Sequence, residues 1–283
     1  MTFHSLLFVP GNRPDRFGKA ASAATVVCID LEDAVPPDQK DDARAATCAW
    51  LQGATTPPAI IGVRINHPST PEGKADAEAI LAQWAAASSV QTSNVWSEPP
   101  PAHCGFLMVP KVNTAADLAT LKGPPLWPII ESGIGLKNAW DIAAAPNVMG
   151  ILFGAVDFAA DIGCTLEWDA LIYARGRLAA ACGAAGIELL DVPFLDVRDE
   201  EGLIASTRRS KALGFTGRAC IHPSQIAPVR TAFKPTAAEV EWARRVVRTL
   251  AQANGAAALM DGKLIERPVA RTAQRILEQA GDA

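Results

Sequence analysis

"LWPIIESGIGLKNAWDIAAAPNVMGILFG", residues 126–154, decides how this chain is to be read. It opens on a short apolar run, "LWPIIES" (126–132), crosses an alanine-rich segment of helical spacing, "GLKNAWDIAAA", and ends on a second apolar run, "VMGILFG" (148–154). A strand-length run, a helix and another strand-length run are the repeating unit of a parallel sheet. Working outward, the unit recurs. Upstream lie "SLLFVP" (5–10), "VVCIDLED" (26–33), "AIIGVRIN" (59–66) and "GFLMVPKV" (105–112); downstream lie "IELLDVP" (187–193) and "GRACIH" (217–222). Between them stand "RPDRFGKAASA", "QKDDARAATCAWL", "GKADAEAILAQWAAA", "TAADLATL", "LEWDALIYARGRLAAACGAA" and "DEEGLIASTRRSKAL". Several of these begin after Pro, Asp or Thr and stop at Gly, as helices do. Eight strand runs, seven helical intervals and a helix after the eighth predict an α/β fold, a (β/α)8 barrel. A doubly wound open sheet is the alternative. It usually opens with a glycine-rich phosphate turn, and "VPGNRPDRF" carries one glycine.

Two segments stand outside the repeat. Residues 88–104, "SSVQTSNVWSEPPPAHC", are polar and proline-rich and read as a surface excursion. After the eighth strand come "PSQIAPVRTAF", the helical "TAAEVEWARRVVRTLAQANG" and "AALMDGKLIERPVARTAQRILEQAG". The expected division is a barrel over 1–233 and a C-terminal helical extension over 234–283, docking on the barrel mouth or on a neighbouring subunit.

Composition narrows the function classes. The 283 residues are 49% hydrophobic with a mean hydropathy of +0.13, enough for a large core. The 26 basic and 30 acidic residues are spread evenly, so no basic stripe points to nucleic acid. The apolar runs fall short of the ~20 residues of a membrane span. "MTFHSLLFVPGNRPDRF" lacks a basic leader and reads as a first strand rather than a secretory signal. Six cysteines without a CxxC pair and four histidines without HxH or HxxxH spacing argue against structural zinc. Free thiols in a reducing cytoplasm are the expectation.

The strand ends share one chemistry, and in such barrels the C-terminal ends carry the active site. Strand 2 finishes in Asp30, Glu32 and Asp33, strand 3 in Arg64 and Asn66, strand 4 in Lys111 and strand 5 in Glu131. Strand 6 runs out at Asp157, strand 7 at Asp191 and strand 8 at His222. Carboxylates gathered at one mouth repel unless a cation sits among them. Oxygen donors with room for water suit Mg2+, with Mn2+ as the alternative, and the pair expected to hold it is Glu131 and Asp157. Asp30 and Glu32 are expected to accept from metal-bound water, and Asp33 to sit in the loop. Each residue has a plainer reading: helix caps for Glu131 and Asp157, a buried pair with Glu32 for Arg64, a structural ion pair for Lys111, a structural role for His222. The cysteines read as core filler.

At these residues the chain resembles the citrate lyase β-subunit-like branch of the HpcH/HpaI aldolase superfamily, which includes malyl-CoA and citramalyl-CoA lyases. The resemblance is carried by "SLLFVPGNRPDRFGKA", "CIDLEDAVPPDQKDDAR", "VRIN", "MVPKV", "IIESGIGLKNAWDIAAA", "ILFGAVDFAADIG", "GFTGRACIHPSQI" and "DGKLIERPV". It implies a Mg2+-dependent barrel, often a homotrimer or hexamer, acting on acyl-CoA thioesters of hydroxy acids by retro-Claisen cleavage to acetyl-CoA and an α-keto acid. It places Glu131 and Asp157 at the metal, Arg64 on the substrate enolate, and Arg13, Arg16 and Lys19 as candidates for the CoA phosphates. Two departures stand out. The family motif "GKMIDxP" supplies an aspartate to a neighbouring subunit as acid/base, and here "GKLIERP" puts Glu266 there. The extra methylene moves the carboxyl by about one bond length, and a misplacement near 1 Å can cost on the order of 100-fold in rate. His4 stands where many relatives carry arginine. Rival readings are an aldolase of free 4-hydroxy-2-oxo acids, a citryl-thioester lyase subunit serving an acyl-carrier protein, and a non-enzymatic scaffold.

Overall fold

The structure, a computed structural model, describes residues 4–53, 59–87 and 105–281; the excursion expected at 88–104 lies outside them. The chain forms two compact units, Met1–Arg230 and Thr231–Ala283. In the first, eight strands pair in chain order and close on themselves: β1 (Ser5–Pro10), β2 (Val26–Asp30), β3 (Ile60–Arg64), β4 (Phe106–Val109), β5 (Leu126–Ile130), β6 (Gly150–Phe153), β7 (Glu188–Asp191) and β8 (Gly217–Cys220). Every pairing is parallel, and Leu6 opposite Ala219 shuts the ring between β1 and β8.

Period-two alternation decides what fills the ring. Leu6, Val26, Cys28, Ile60, Phe106, Met108, Trp127, Ile129, Leu152, Leu190 and Ala219 point inward and form one buried cluster. Two glycines make room for its largest rings. A Cβ at Gly62 would overlap the Phe106 ring, and one at Gly150 would lie 2.6 Å from Trp127. Small residues opposite large ones let the interior reach close packing without strain.

The outer layer departs from the expected repeat at two places. Around the ring run α1 (Phe17–Ala23), α2 (Lys40–Gly53), α3 (Pro71–Ala87), α4 (Gly133–Lys137), α5 (Ala139–Ala143), α6 (Ala155–Ile162), α7 (Trp168–Ala185), α8 (Glu200–Leu213) and α9 (Ile226–Phe233). "TAADLATL" makes only a 3-10 turn, Ala115–Leu118. Asp117 there accepts from the backbone N–H groups of Asn113 and Thr114, and Gly123 with the prolines after it prevents a longer helix. The 133–145 interval breaks at Asn138, whose side chain donates to the Asn113 carbonyl at 2.8 Å.

The second unit packs α10 (Ala237–Gln252) on α11 (Arg267–Ala280), with a hairpin of β9 (Ala258–Met260) and β10 (Lys263–Ile265) between them in sequence. Thr236 and Glu239 form a capping box at the start of α10. The extension is therefore not wholly helical. Asp261 and Gly262, at φ +51° and +75°, form the tight hairpin turn that a DG pair favours. Among the described residues no helix is long and apolar enough to cross a membrane.

Candidate active site

The inward parity of the strands carries past their ends and assembles the mouth. Asp30 follows Cys28 on the inner face of β2, Arg64 lies on the face of Ile60, and Glu131 continues the face of Ile129. Asp30, Asp33, Arg64, Glu131 and Asp157 all line one cavity of about 430 Å³, whose walls include Phe8, Ile129, Leu152 and Ile221. Gly154 continues the inner face of β6 and is what lets Glu131 fit. A Cβ there would stand 2.7 Å from both Cβ and Oε2 of Glu131.

Arg64 is gripped from two sides. Its Nε donates to Asp30 Oδ1 at 2.7 Å and its Nη2 to Asp30 Oδ2 at 2.6 Å, a bidentate fork. Nη1 lies 2.9 Å from Glu32 Oε2. Burial opposes the guanidinium's charge, but the hydrogen bonds and charge of Asp30, with Glu32 behind them, hold its pKa above the ordinary value. Lys111 Nζ donates to Glu32 Oε1. The Lys111 backbone N–H donates at 2.5 Å to Glu131 Oε1, aimed there by a left-handed backbone of φ +55°. Glu131 is 6% exposed. Burial first, then the charges of Glu32 and Asp157, push its carboxyl up to about 8 against the pull of Lys111.

These positions correct several expectations. Asp30 and Glu32 were expected to accept from metal-bound water. Asp30 instead turns both oxygens to Arg64 and to the backbone N–H groups of Glu32 and Ala34, and Glu32 faces Arg64 and Lys111. The plainer reading of Arg64 as a buried pair is thus what the geometry displays, with Asp30 as the main partner. Asp33 lies in the loop after β2, which ends at Asp30, and its carboxylate comes within 3.9 Å of Arg64 and 3.7 Å of Lys111. Asp157 does not end a strand. It sits exposed in the first turn of α6, beyond the end of β6 at Phe153. Asp191 leaves the mouth altogether: fully buried, it receives Arg218 Nη2 at 2.8 Å, Arg175 Nε at 3.3 Å and the Ser210 hydroxyl. His222 caps a 3-10 turn by accepting from the Ser224 backbone, the structural role.

Arg13, Arg16 and Lys19 line a second cleft of about 500 Å³ that shares Phe8, Pro10 and Ile221 with the central cavity. Arg13 is held by Asp15 at 2.8 and 2.9 Å. Glu266 is the N-cap of α11 in the second unit, exposed, with no side-chain capping bond. His4 contacts the Thr216 carbonyl through Nδ1 at 2.9 Å. Sequence reading missed Lys40, whose ammonium donates to the carbonyls of Leu31 and Glu32 and to Asn66 Oδ1, so it fixes the loop carrying Glu32. It also missed Asp76, fully buried, which accepts from Asn66 and Arg44. A lysine at the start of a helix carries no signal of its own. Only the fold brings it over the loop.

Among the described residues no group of three or more His, Cys, Asp or Glu side chains is placed to hold a metal ion. The donor set that does converge, two carboxylates in an acid-rich mouth, fits a hard divalent cation completed by water and substrate oxygens.

A closed parallel barrel with a paired guanidinium and several carboxylates at its mouth, above an apolar wall, defines a class: barrel enzymes whose site is built at the C-terminal ends of the strands. The chain belongs to the HpcH/HpaI aldolase/citrate lyase family, whose model matches residues 4–90 and 125–223, and it is a carbon–carbon lyase of that family. An L-malyl-CoA/beta-methylmalyl-CoA lyase of Cereibacter sphaeroides is 35% identical over 312 residues, covering 97% of this chain and 93% of that one. A (3S)-malyl-CoA thioesterase of the same species is 33% identical over 288 residues, covering 98% and 94%. The crystal structure of CitE from Mycobacterium tuberculosis in complex with magnesium, acetoacetate and coenzyme A matches with a TM-score of 0.83 at 33% identity, over 99% of this chain and 98% of that one.

Proposed function

We propose that this protein is a Mg2+-dependent lyase that cleaves a 3-hydroxy-3-carboxyacyl-CoA thioester to acetyl-CoA and a 2-oxo acid. The observation that carries the reading is the placing of Glu131, Asp157 and Arg64 around one cavity at the barrel mouth, a gathering of carboxylates that a bound cation relieves. Glu131 and Asp157 would hold Mg2+, which when bound supplies a Lewis acid for the substrate's hydroxyl and carboxylate oxygens. Magnesium and coenzyme A in the CitE structure support this assignment.

The chain's own residues then do the following. Arg64, one edge of which is fixed by Asp30 with Glu32 alongside, keeps N–H donors on its terminal nitrogens for the thioester oxygen, where negative charge gathers as the C–C bond breaks. Because the fork is locked before substrate arrives, little reorganisation is needed at the moment of reaction. A carboxylate takes the hydroxyl proton, the electrons of the breaking C–C bond pass to the thioester enolate, and the carboxylic acid so formed returns the proton to the enolate carbon to complete acetyl-CoA. Glu266, reaching a neighbouring subunit's site in a cytoplasmic homotrimer or hexamer, is the group assigned to that transfer. Arg13, Arg16 and Lys19 in the adjoining cleft would meet the CoA phosphates, the shared wall at Phe8 and Ile221 leading the thioester arm to the mouth.

The test is incubation with malyl-, citramalyl- and citryl-CoA, with and without EDTA. Mg2+-dependent release of acetyl-CoA with a 2-oxo acid is expected. Release of free CoA with an intact hydroxy acid, the thioesterase outcome, would overturn it, as would cleavage of free 4-hydroxy-2-oxo acids alone.

A further inference from the structure

We propose that the acid half released at this site is a 2-oxo monocarboxylate with a small apolar substituent, of pyruvate type, and that substrates bearing a second carboxylate there, of citryl type, are rejected. The inference rests on the lyase reading above and deepens it. It follows from the charges and the wall of one cavity.

Among the described residues lining the central cavity, Arg64 is the only cation, against the carboxylates of Asp30, Asp33, Glu131 and Asp157. Arg64 already donates to Asp30 through Nε and Nη2 and is ion-paired with Glu32 at Nη1. Lys111 and Lys40 face a neighbouring hollow of about 340 Å³ and are held there, and Lys19 lies in the cleft assigned above to the CoA phosphates. Lys111 donates to Glu32, and Lys40 is tied to the carbonyls of Leu31 and Glu32 and to Asn66. The carboxylate common to all three candidate thioesters has the cation to meet. The further carboxylate of a citryl substrate, one methylene out from the same carbon, has none, and it enters a mouth where acids outnumber bases. Like charges brought together in such a site cost several kcal/mol, the usual way a pocket excludes a competitor.

The wall gives the positive half of the argument. Val156, Leu195 and Ile221 line the cavity while 42%, 58% and 45% exposed. Large apolar side chains gathered around a cavity are surface that a ligand's hydrocarbon covers. Leu152 and Ile129 continue that surface inward. A methyl group gains from it and a hydrogen does not; one buried carbon is worth about fourfold in affinity.

The experiment uses the full-length protein in MgCl2. kcat/KM is measured for citramalyl-, malyl- and citryl-CoA. Separately, calorimetry measures binding of pyruvate and of oxaloacetate to the Mg2+-loaded protein without thioester. Citramalyl-CoA is expected to exceed malyl-CoA about fourfold and citryl-CoA on the order of 100-fold, with pyruvate binding tighter than oxaloacetate. Leu195→Lys, which places a cation on the rim, is expected to narrow the citryl deficit by roughly 10-fold. Citryl-CoA cleaved as well as citramalyl-CoA, or oxaloacetate bound as tightly as pyruvate, overturns the inference. Should no thioester be cleaved, the lyase reading fails, and the two oxo acids still decide this one.

Discussion

Replacing Glu131 by glutamine is expected to stabilise the metal-free protein while abolishing its response to magnesium. The carboxyl, ordinarily near 4.5, is raised to about 8 in the fold by burial and by Glu32 and Asp157. A higher folded pKa means that the folded state binds this proton more tightly than the unfolded chain. The resulting stability is complete below pH 4.5 and is lost as pH rises through 8. The difference is worth on the order of 5 kcal/mol at most. Glutamine keeps an oxygen for the Lys111 N–H and carries no charge. In EDTA, the variant is expected to lead the wild type by only about 1.4 kcal/mol at pH 5.5, one unit above the unfolded value. At pH 9 the variant melts higher by roughly 5 °C or more, since each kcal/mol moves a domain of this size by about 2–4 °C. Saturating Mg2+ reverses the order, because only the wild type gains a ligand. Differential scanning calorimetry at both pH values, with and without the ion, makes the measurement. A variant that melts below the wild type at pH 9 in EDTA, or a gap that is the same at pH 5.5, would refute the reasoning.

Gly154→Ala adds a Cβ 2.7 Å from Glu131 at a backbone (φ −84°) that alanine tolerates; kcat/KM is expected to fall about 100-fold with an unchanged circular dichroism spectrum, and near-wild-type turnover would show that Glu131 needs no such room. Asp191→Asn leaves Arg218 and Arg175 buried without a counter-ion. A loss of about 3–5 kcal/mol in urea unfolding is expected, with Mg2+ affinity unaltered. Glu266→Gln should lower kcat by roughly 100-fold or more while the Mg2+ dissociation constant stays put; an unchanged kcat would leave Glu266 only as the cap of α11.

The barrel was legible because strand runs and intervals recur. Their C-terminal limits were not, for a reason visible at Leu31, Ile65 and Val112. Each lies beyond the last ladder residue of its strand and is fully buried. Hydrophobic runs therefore outlast the hydrogen-bonded strand, as the βα loops fold down onto the barrel, and the reading overran. Asp157 was set on a strand for the same reason, although α6 begins at Ala155. Asp191 shows a different limit. "IELLDVP" has two adjacent leucines, both buried, so alternation in the sequence does not reveal which faces the interior. Leu190 does, and Asp191 is thereby turned outward. That Asp30, Arg64 and Glu131 share one end of the barrel was legible because charged residues closing apolar strands stand out. Their pairing was harder to foresee, since one guanidinium with several acids nearby has many arrangements. The small contribution of Gly154 leaves no trace until a neighbour is seen against it.

Lys111 does two jobs that conflict. Its main chain occupies a region that suits glycine, at a cost of about 1–2 kcal/mol for any residue with a Cβ, yet its ammonium serves Glu32. Glycine at this position would ease the peptide and strip the charge; any other residue but arginine would keep the tension and still lose the charge. Thermostability screens that rank positions by backbone comfort would therefore nominate this one first, and in accepting the change would trade away the clasp between two neighbouring acids.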